Sequence, residues 1–294
     1  MYNPRSGRQR HGVVLEALVA VLREGGFEVE PVPTGAAGDA TRLARELAAE
    51  GRVETVFSFG GDGTAREVAE GLLGSPVALG FLPGGTANLL AIALGLPRDP
   101  VDAAAALCRG AVRPFDVGLA GDTPFLMMVS TGLDAHVLAH LETRHKWRFG
   151  KGAIALQGFS EWWRYDYPDL ALTVDGEPLT STFAAVCNIP FYGGAFRLAP
   201  GALTDDRRLE LVAFQGRGRA ATLGFAADLL RAAHVNRPDV VYRPAGEVLI
   251  SAPDGAAVQV DGDVCAERLP LQVRLAPDRL SMLTPAAPGE GRGT

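Results

Sequence analysis

Residues 53–64 read Val53-Glu54-Thr55-Val56-Phe57-Ser58-Phe59-Gly60-Gly61-Asp62-Gly63-Thr64, an apolar run that ends in a glycine turn. A junction of this kind has the make-up of a nucleotide phosphate site. Gly60, Gly61 and Gly63 permit positive φ and leave backbone N–H groups bare for a polyphosphate. Thr64 can open the helix that follows, whose N-terminus adds partial positive charge. Asp62 is the one ionisable group in the loop and has two candidate roles, holding Mg²⁺ through water or taking a proton. The plain alternative is a turn aspartate that caps the helix at Ala65.

About one βα unit later, Val77 to Leu82 is a short apolar run and Pro83-Gly84-Gly85-Thr86-Ala87-Asn88 is the turn. In a parallel sheet the carboxyl ends of neighbouring strands face one crevice, so both turns would converge on one ligand. Around them the patterning predicts helix 8–24, strand 27–33, helix 39–50, strand 53–59, helix 64–73, strand 77–82, helix 87–95 and helix 100–109. That is an α/β domain with a mainly parallel sheet. After Asp116 the character changes. Strand-like runs at Phe125–Ser130, Leu170–Val174, Phe183–Asn188, Leu209–Phe214, Val248–Ile250 and Leu271–Leu275 alternate with helical stretches at 134–145, 152–165 and 219–233. They predict a β-rich, antiparallel, sandwich-like second domain. The polar end, 287–294, reads as a disordered tail.

With 294 residues, 47% apolar and 21% charged, the chain is long enough for two ordinary domains with a sizeable core. Its net charge of −6 argues against a nucleic-acid binder that works through an overall basic surface. Cys108, Cys187 and Cys265 are widely spaced in apolar surroundings and suggest neither a disulfide framework nor a metal site. His136 and His140 stand four apart, but no glutamate follows His136 as in a zinc-protease helix, so they read as ordinary histidines. Arg5, Arg8 and Arg10 before the apolar residues 13–22 imitate a secretory leader. Glu16 interrupts that run, no small-residue cleavage site follows, and Gly25-Gly26 closes an amphipathic helix instead. No apolar run approaches the roughly 18 residues of a membrane span. The expectation is a cytoplasmic protein, able to sit peripherally on a membrane.

These motifs resemble the diacylglycerol kinase catalytic-domain superfamily of lipid kinases, which includes sphingosine kinases and soluble bacterial lipid kinases. The resemblance is carried by Asn3-Pro4-Arg5-Ser6-Gly7, Gly60-Gly61-Asp62-Gly63-Thr64 and Leu82-Pro83-Gly84-Gly85-Thr86-Ala87-Asn88. Arg113-Pro114-Phe115-Asp116, Thr131-Gly132-Leu133-Asp134, Pro200-Gly201-Ala202-Leu203-Thr204-Asp205-Asp206 and Asp261-Gly262-Asp263 follow in the family's order. The resemblance implies a nucleotide-binding domain over 1–117, to which 277–286 returns, and a lipid-substrate domain over 118–276. It implies ATP and Mg²⁺ as cofactors, with the nucleotide held by Asn3, Ser6, Gly61, Gly63, Thr64, Gly85 and Thr86. Asn88 would brace the second loop, and Lys146 and Arg148 would reach the phosphates. Asp62, Asp116 and Asp263 become the catalytic candidates, and Asp62, Asp205 and Asp206 the metal candidates. The partner implied is a lipid at the membrane surface, with no nucleic acid; a homodimer is left open.

The sequence also departs from the family. The family's first strand lies just before the residue matching Asn3, so the expectation is either an upstream start or a missing strand that leaves an unpaired edge. Asp263 stands where many relatives carry glutamate, about one methylene longer, which leaves a water-mediated role open, and Asp261-Gly262 is equally a hairpin signal. Arg207 replaces the glycine expected after Asp206 and would block both turn and metal. Leu89 replaces an aspartate found in many diacylglycerol kinases. The run Arg144 to Lys151 holds both lysines of the protein, and Trp162, Trp163, Tyr165 and Tyr167 beyond it suit a membrane headgroup interface or a core beside a solvated face. The activity expected is transfer of the γ-phosphoryl group of Mg-ATP to a hydroxyl of a diacylglycerol-like or sphingoid lipid. NAD kinase, which shares the Gly-Gly-Asp-Gly-Thr loop, and a decayed nucleotide- or lipid-binding protein are the alternatives; the second loop favours the lipid kinase.

Overall fold

The computed structural model describes residues 1–4, 11–140, 158–194, 196–252, 256–265, 267 and 269–286. They fall into two compact units. One is formed by Met1–Val117 with the stretch from Pro277 onward and a short turn beginning at Gly193, the other by Gly118–Tyr192 and Phe196–Ala276.

In the first unit the two apolar runs become β1 (Thr55–Gly60) and β2 (Ala78–Pro83), paired in parallel with Gly60 opposite Pro83. β2 is buried at every position, as befits a strand covered on both faces. Helices α1 (His11–Glu24), α2 (Asp39–Glu50), α3 (Asp62–Leu72), α4 (Leu89–Ala93) and α5 (Pro100–Leu107) alternate with the extended segments. α2 and α3 approach so closely that a Cβ on Gly71 would lie 2.4 Å from the Thr41 carbonyl oxygen. Two strands that the patterning did not mark complete the sheet, β3 (Ala111–Phe115) and the last strand, β18 (Leu280–Thr284), in the order β1-β2-β18-β3. β18 runs parallel to β2 and antiparallel to β3. Next to it, Arg279 Nε donates to Asp116 Oδ1 at 2.8 Å, and the Asp116 side chain is fully buried.

Residues 27–33 differ from the predicted strand, for they form no ladder of their own. Among the described residues their β partner is Tyr2 alone, which bridges Pro33 on one side and Phe59 on the other. Tyr2 N donates to Val32 O at 3.0 Å, and Phe59 N donates to Met1 O at 2.9 Å. A strand needs a neighbour along its whole length to satisfy its N–H and C=O groups. Among the described residues no chain lies between 27–31 and β1, and a cavity of about 650 Å³ opens there, lined by Leu18, Leu22, Phe27, Val29, Val56 and Phe57.

The second unit contains β4 (Gly118–Ala120), β5 (Thr123–Phe125), β6 (Met128–Thr131), α6 (Leu133–His140), a helix α7 described over 158–164, β7 (Leu170–Val174), β8 (Glu177–Ser181) and β9 (Phe183–Cys187). It continues with β10 (Phe191–Tyr192), β11 (Phe196–Arg197), β12 (Leu209–Phe214), α8 (Gly218–Leu230), β13 (Val240–Ala245), β14 (Glu247–Ser251), β15 (Val258–Val260), β16 (Asp263–Val264) and β17 (Leu271–Leu275). Two six-stranded antiparallel sheets form, β13-β12-β9-β6-β15-β16 and β5-β4-β17-β14-β7-β8. In β7, Leu170, Leu172 and Val174 are buried and Ala171 and Thr173 exposed, and the inward set joins Val186, Leu211 and Ala213 of the other sheet in one core. β12 is buried throughout because Val212 and Phe214, on its other face, meet Phe225 of α8.

The predicted strand Phe125–Ser130 is in fact two. β5 and β6 belong to different sheets, and at the break the Asp261 carboxylate accepts from Leu126 N at 2.8 Å and from Met127 N and Met128 N at 2.9 Å.

Arg279→Met deprives a buried carboxylate of this ion pair and should lower the unfolding free energy by about 3 kcal/mol in urea denaturation. Adding Asp116→Asn to that variant should restore part of the loss.

Candidate functional site

Because Gly60 stands opposite Pro83, the two glycine turns leave adjacent strand ends side by side. Gly84 N donates to Gly60 O at 2.7 Å. A Cβ on Gly85 would lie 2.6 Å from Gly61 Cα, and one on Gly84 would lie 2.9 Å from the Phe59 ring. Backbone therefore rests on backbone where any side chain would collide. Gly60, Gly61 and Gly63 do not use the positive φ open to them, and neither Gly84 nor Gly85 has one. Close approach, rather than left-handed geometry, requires glycine here.

α3 starts at Asp62, two residues before the predicted start, with Gly61 as an extended N-cap at φ −88°. Asp62 reaches from this first turn to the second glycine loop. Its Oδ2 accepts from Leu89 N and its Oδ1 from Leu90 N, both at 3.1 Å. It thus caps α4, not the helix at Ala65 as the plain alternative had it. Asn88 braces the same loop: its Oδ1 accepts from Gly85 N at 2.9 Å and its Nδ2 donates to Gly85 O at 3.0 Å. Its own backbone lies at φ 49°, a conformation asparagine tolerates better than most residues, and α4 begins only after it, not at residue 87. Burial pushes the Asp62 carboxyl above its ordinary value, while the N–H groups of Leu90, Leu89 and Asn88 pull it down.

Beside α3 a pocket of about 320 Å³ is lined by Asn3, Gly63 and Thr64, which the sequence singled out, and by the turn Thr34-Gly35-Ala36-Ala37 and Glu67, which it did not. Asp39 Oδ2 holds that turn by accepting from Gly35 N and Ala36 N, each at 2.9 Å. The signal was available, since Pro33-Thr34-Gly35 ends the extended segment that precedes α2. Gly85 and Thr86 are exposed at the tip of the second loop.

The remaining candidates are placed elsewhere. Asp116 is turned onto Arg279. Asp261 and Asp263 belong to a two-residue hairpin that pairs Val260 with Asp263. Asp261 and Gly262 have φ of 52° and 88°, the signature of a type I′ turn. The hairpin alternative holds, and the two carboxylates have different surroundings: Asp261 is buried and Asp263 exposed. Arg207 does not block its turn, for it adopts φ 61° and donates from its guanidinium to Ala276 O at 3.0 Å. A non-glycine residue held there costs about 1 kcal/mol. Asp205 and Asp206 are exposed beside it, with Asp206 Oδ1 accepting from Arg208 N at 3.1 Å. Ser6, Lys146 and Arg148 lie outside the described residues. One desolvated carboxylate was not singled out although its motif was in view. Asp134 accepts from the Ser130 hydroxyl and from Tyr192 OH at 3.0 Å, and burial pushes its carboxyl up.

An α/β unit with paired glycine turns, followed in the chain by an antiparallel sandwich, defines a class of two-domain kinases. The pattern of the diacylglycerol kinase catalytic domain matches residues 1–120, and that of the YegS C-terminal NAD kinase beta sandwich-like domain matches residues 127–284. The chain belongs to this diacylglycerol kinase and YegS-like family of lipid kinases. It is 28% identical over 268 residues to a diacylglycerol kinase of Bacillus subtilis (strain 168), covering 90% of this chain and 88% of that one. It is 37% identical over 200 residues to a probable lipid kinase YegS-like of Chromohalobacter salexigens, covering 66% and 64%. A putative diacylglycerol kinase from Bacillus anthracis shares the fold, with a TM-score of 0.80 at 24% identity over 96% of this chain and 95% of that one. Among the described residues no helix is long and apolar enough to cross a membrane.

Gly85→Ala, which forces the turns apart, should destabilise the protein by about 1–3 kcal/mol in chemical denaturation, against about 0.5 kcal/mol or less for the exposed Thr86→Ala. Asp62 supplies a pH test. Its folded pKa lies above the ordinary 3.8, so the folded state binds the proton more readily and the cost of ionised Asp62 fades as pH falls toward that value. Urea unfolding of wild type and Asp62→Asn at neutral and mildly acidic pH should therefore differ, with the balance moving toward wild type at the lower pH.

Proposed function

We propose that the protein transfers the γ-phosphoryl group of Mg-ATP to a hydroxyl of a membrane lipid. The observation that supports this most strongly is the close contact of the two glycine turns, where a Cβ on Gly85 would lie only 2.6 Å from Gly61 Cα. The glycines carry no side chains to crowd a polyphosphate, and the N-terminus of α3 adds its partial positive charge. Asn3, Ser6, Gly61, Gly63, Thr64, Gly85 and Thr86 would hold the nucleotide, with Lys146 and Arg148 on its phosphates. Asp62 is the acid of this cradle. Each of its oxygens already accepts one N–H, so it fits Mg²⁺ through water better than as a bidentate ligand. Bound there, the ion would neutralise phosphate charge. Asp62 itself orients the second loop, and the exposed Asp263 is the candidate to accept the lipid hydroxyl proton. Asp116 acts by fixing the neighbourhood of β18 through Arg279, and Asp205 with Asp206 are candidates for a structural cation.

The lipid would be met at the cytoplasmic face of a membrane. Phe159 and Trp163 of α7 are exposed, and the Arg219 guanidinium lies 4.3 Å from the Trp163 ring. Aromatic rings beside a cation suit a headgroup layer. Incubation with γ-labelled ATP, Mg²⁺ and separate mixed micelles of diacylglycerol, phosphatidylglycerol or sphingosine should label one lipid. Asp62→Ala should reduce that rate about a hundredfold or more. Label in NAD would overturn the lipid reading, and ATP binding with no transfer to any acceptor would mark a decayed enzyme.

A further inference from the structure

Sequence spacing left His136 and His140 as ordinary histidines, yet the second unit brings a carboxylate to them. They stand one turn apart on one face of α6, with ring centroids 4.1 Å apart and planes inclined by 34°. Glu161 of α7 places Oε2 3.2 Å from His136 Nε2. One ligand atom from each of the three side chains lies within 4.8 Å of the other two. We propose that His136, His140 and Glu161 bind a divalent ion of the zinc class.

The chemistry of the donors selects the ion. Two imidazoles and one carboxylate suit zinc, nickel, copper or ferrous iron, whereas Mg²⁺ and Ca²⁺ prefer oxygen throughout. Three protein ligands with water in the fourth position are a common zinc arrangement. A tetrahedral ion with bonds of about 2.1 Å sets its ligands about 3.4 Å apart, little more than an ångström closer than the three donor atoms stand at most.

The surroundings prepare it. His140 Nδ1 lies 2.8 Å from His136 O. A carbonyl only accepts, so Nδ1 carries the proton and Nε2 is the nitrogen of metal-ligating type; this is the outer hydrogen bond that metal-bound histidines usually make. Tyr165 packs its ring 4.8 Å from that of His136 and limits its rotation. The side chains of His136 and Glu161 are only 27% and 14% exposed, which shelters a bound ion, while His140 is exposed and leaves it a way in. A plain His136–Glu161 ion pair would need no second histidine. The ion would tie α6 to α7 and so clamp both flanks of residues 141–157, the stretch that carries Arg144 to Lys151.

Full-length protein stripped with chelator and desalted would be titrated with Co²⁺ and Zn²⁺. One equivalent of Co²⁺ should bind at micromolar concentration or tighter, give the visible band of a low-coordinate site without a thiolate charge-transfer band, and be displaced by Zn²⁺. Quenching of Trp162 and Trp163, next to Glu161 in the chain, is a second readout. His140→Ala, at an exposed position, and Glu161→Gln should each weaken binding about a hundredfold or more while the circular dichroism stays unchanged. Absence of one-to-one binding, affinity unaltered in His140→Ala, or equal competition by Mg²⁺ would each overturn the assignment.

Discussion

The first unit depends on one contact, the backbone of the second glycine turn resting on that of the first. It can form only because β1 and β2 are parallel and in a register that sets Gly60 beside Pro83. The contact is then locked from both sides. Asp62 spans from α3 to the amides that open α4, and Asn88 folds back on Gly85. Removing methyl groups from the contact and capping a helix across it are one device, since the loops must lie close enough for one carboxylate to serve both. Asp62 is thus structural whatever else it does. Its burial is offset only in part by the N–H groups it caps, which leaves the carboxyl above its ordinary value.

A parallel device orders the second unit. Asp261 sits in a two-residue turn, buried, and collects three consecutive amides at the point where the chain leaves one sheet for the other. A continuous strand there would need those amides in its ladder. The carboxylate takes them instead, and β5 and β6 separate. Both units therefore rely on an aspartate next to a glycine turn that satisfies amides far away in sequence.

Much of this was legible because it is local. The period-two pattern of β7, the apolar character of β2, the largely apolar run of β12 and the glycine turns are properties of short segments, and each corresponds to the element it suggested. Failures came where a partner decides. Residues 27–33 have a strand's composition but, among the described residues, only Tyr2 to pair with, so extended chain borders a cavity. Arg207 looks incompatible with a glycine position, yet its side chain finds the Ala276 carbonyl, and the local strain is tolerated. His136 and His140 look idle until α7 supplies Glu161.

By itself the sequence determined the class of both units and the place of the phosphate-type turns, since periodicity and bare glycines need no knowledge of distant residues. Tertiary structure alone decided what each acid faces. Asp62 caps a helix 27 residues on, Asp116 pairs with an arginine 163 residues away, and Asp261 closes a break 133 to 135 residues back. A carboxylate carries no sign in its own neighbourhood of which amide or guanidinium will meet it. That is set by strand order and register, which depend on burying the whole apolar surface at once.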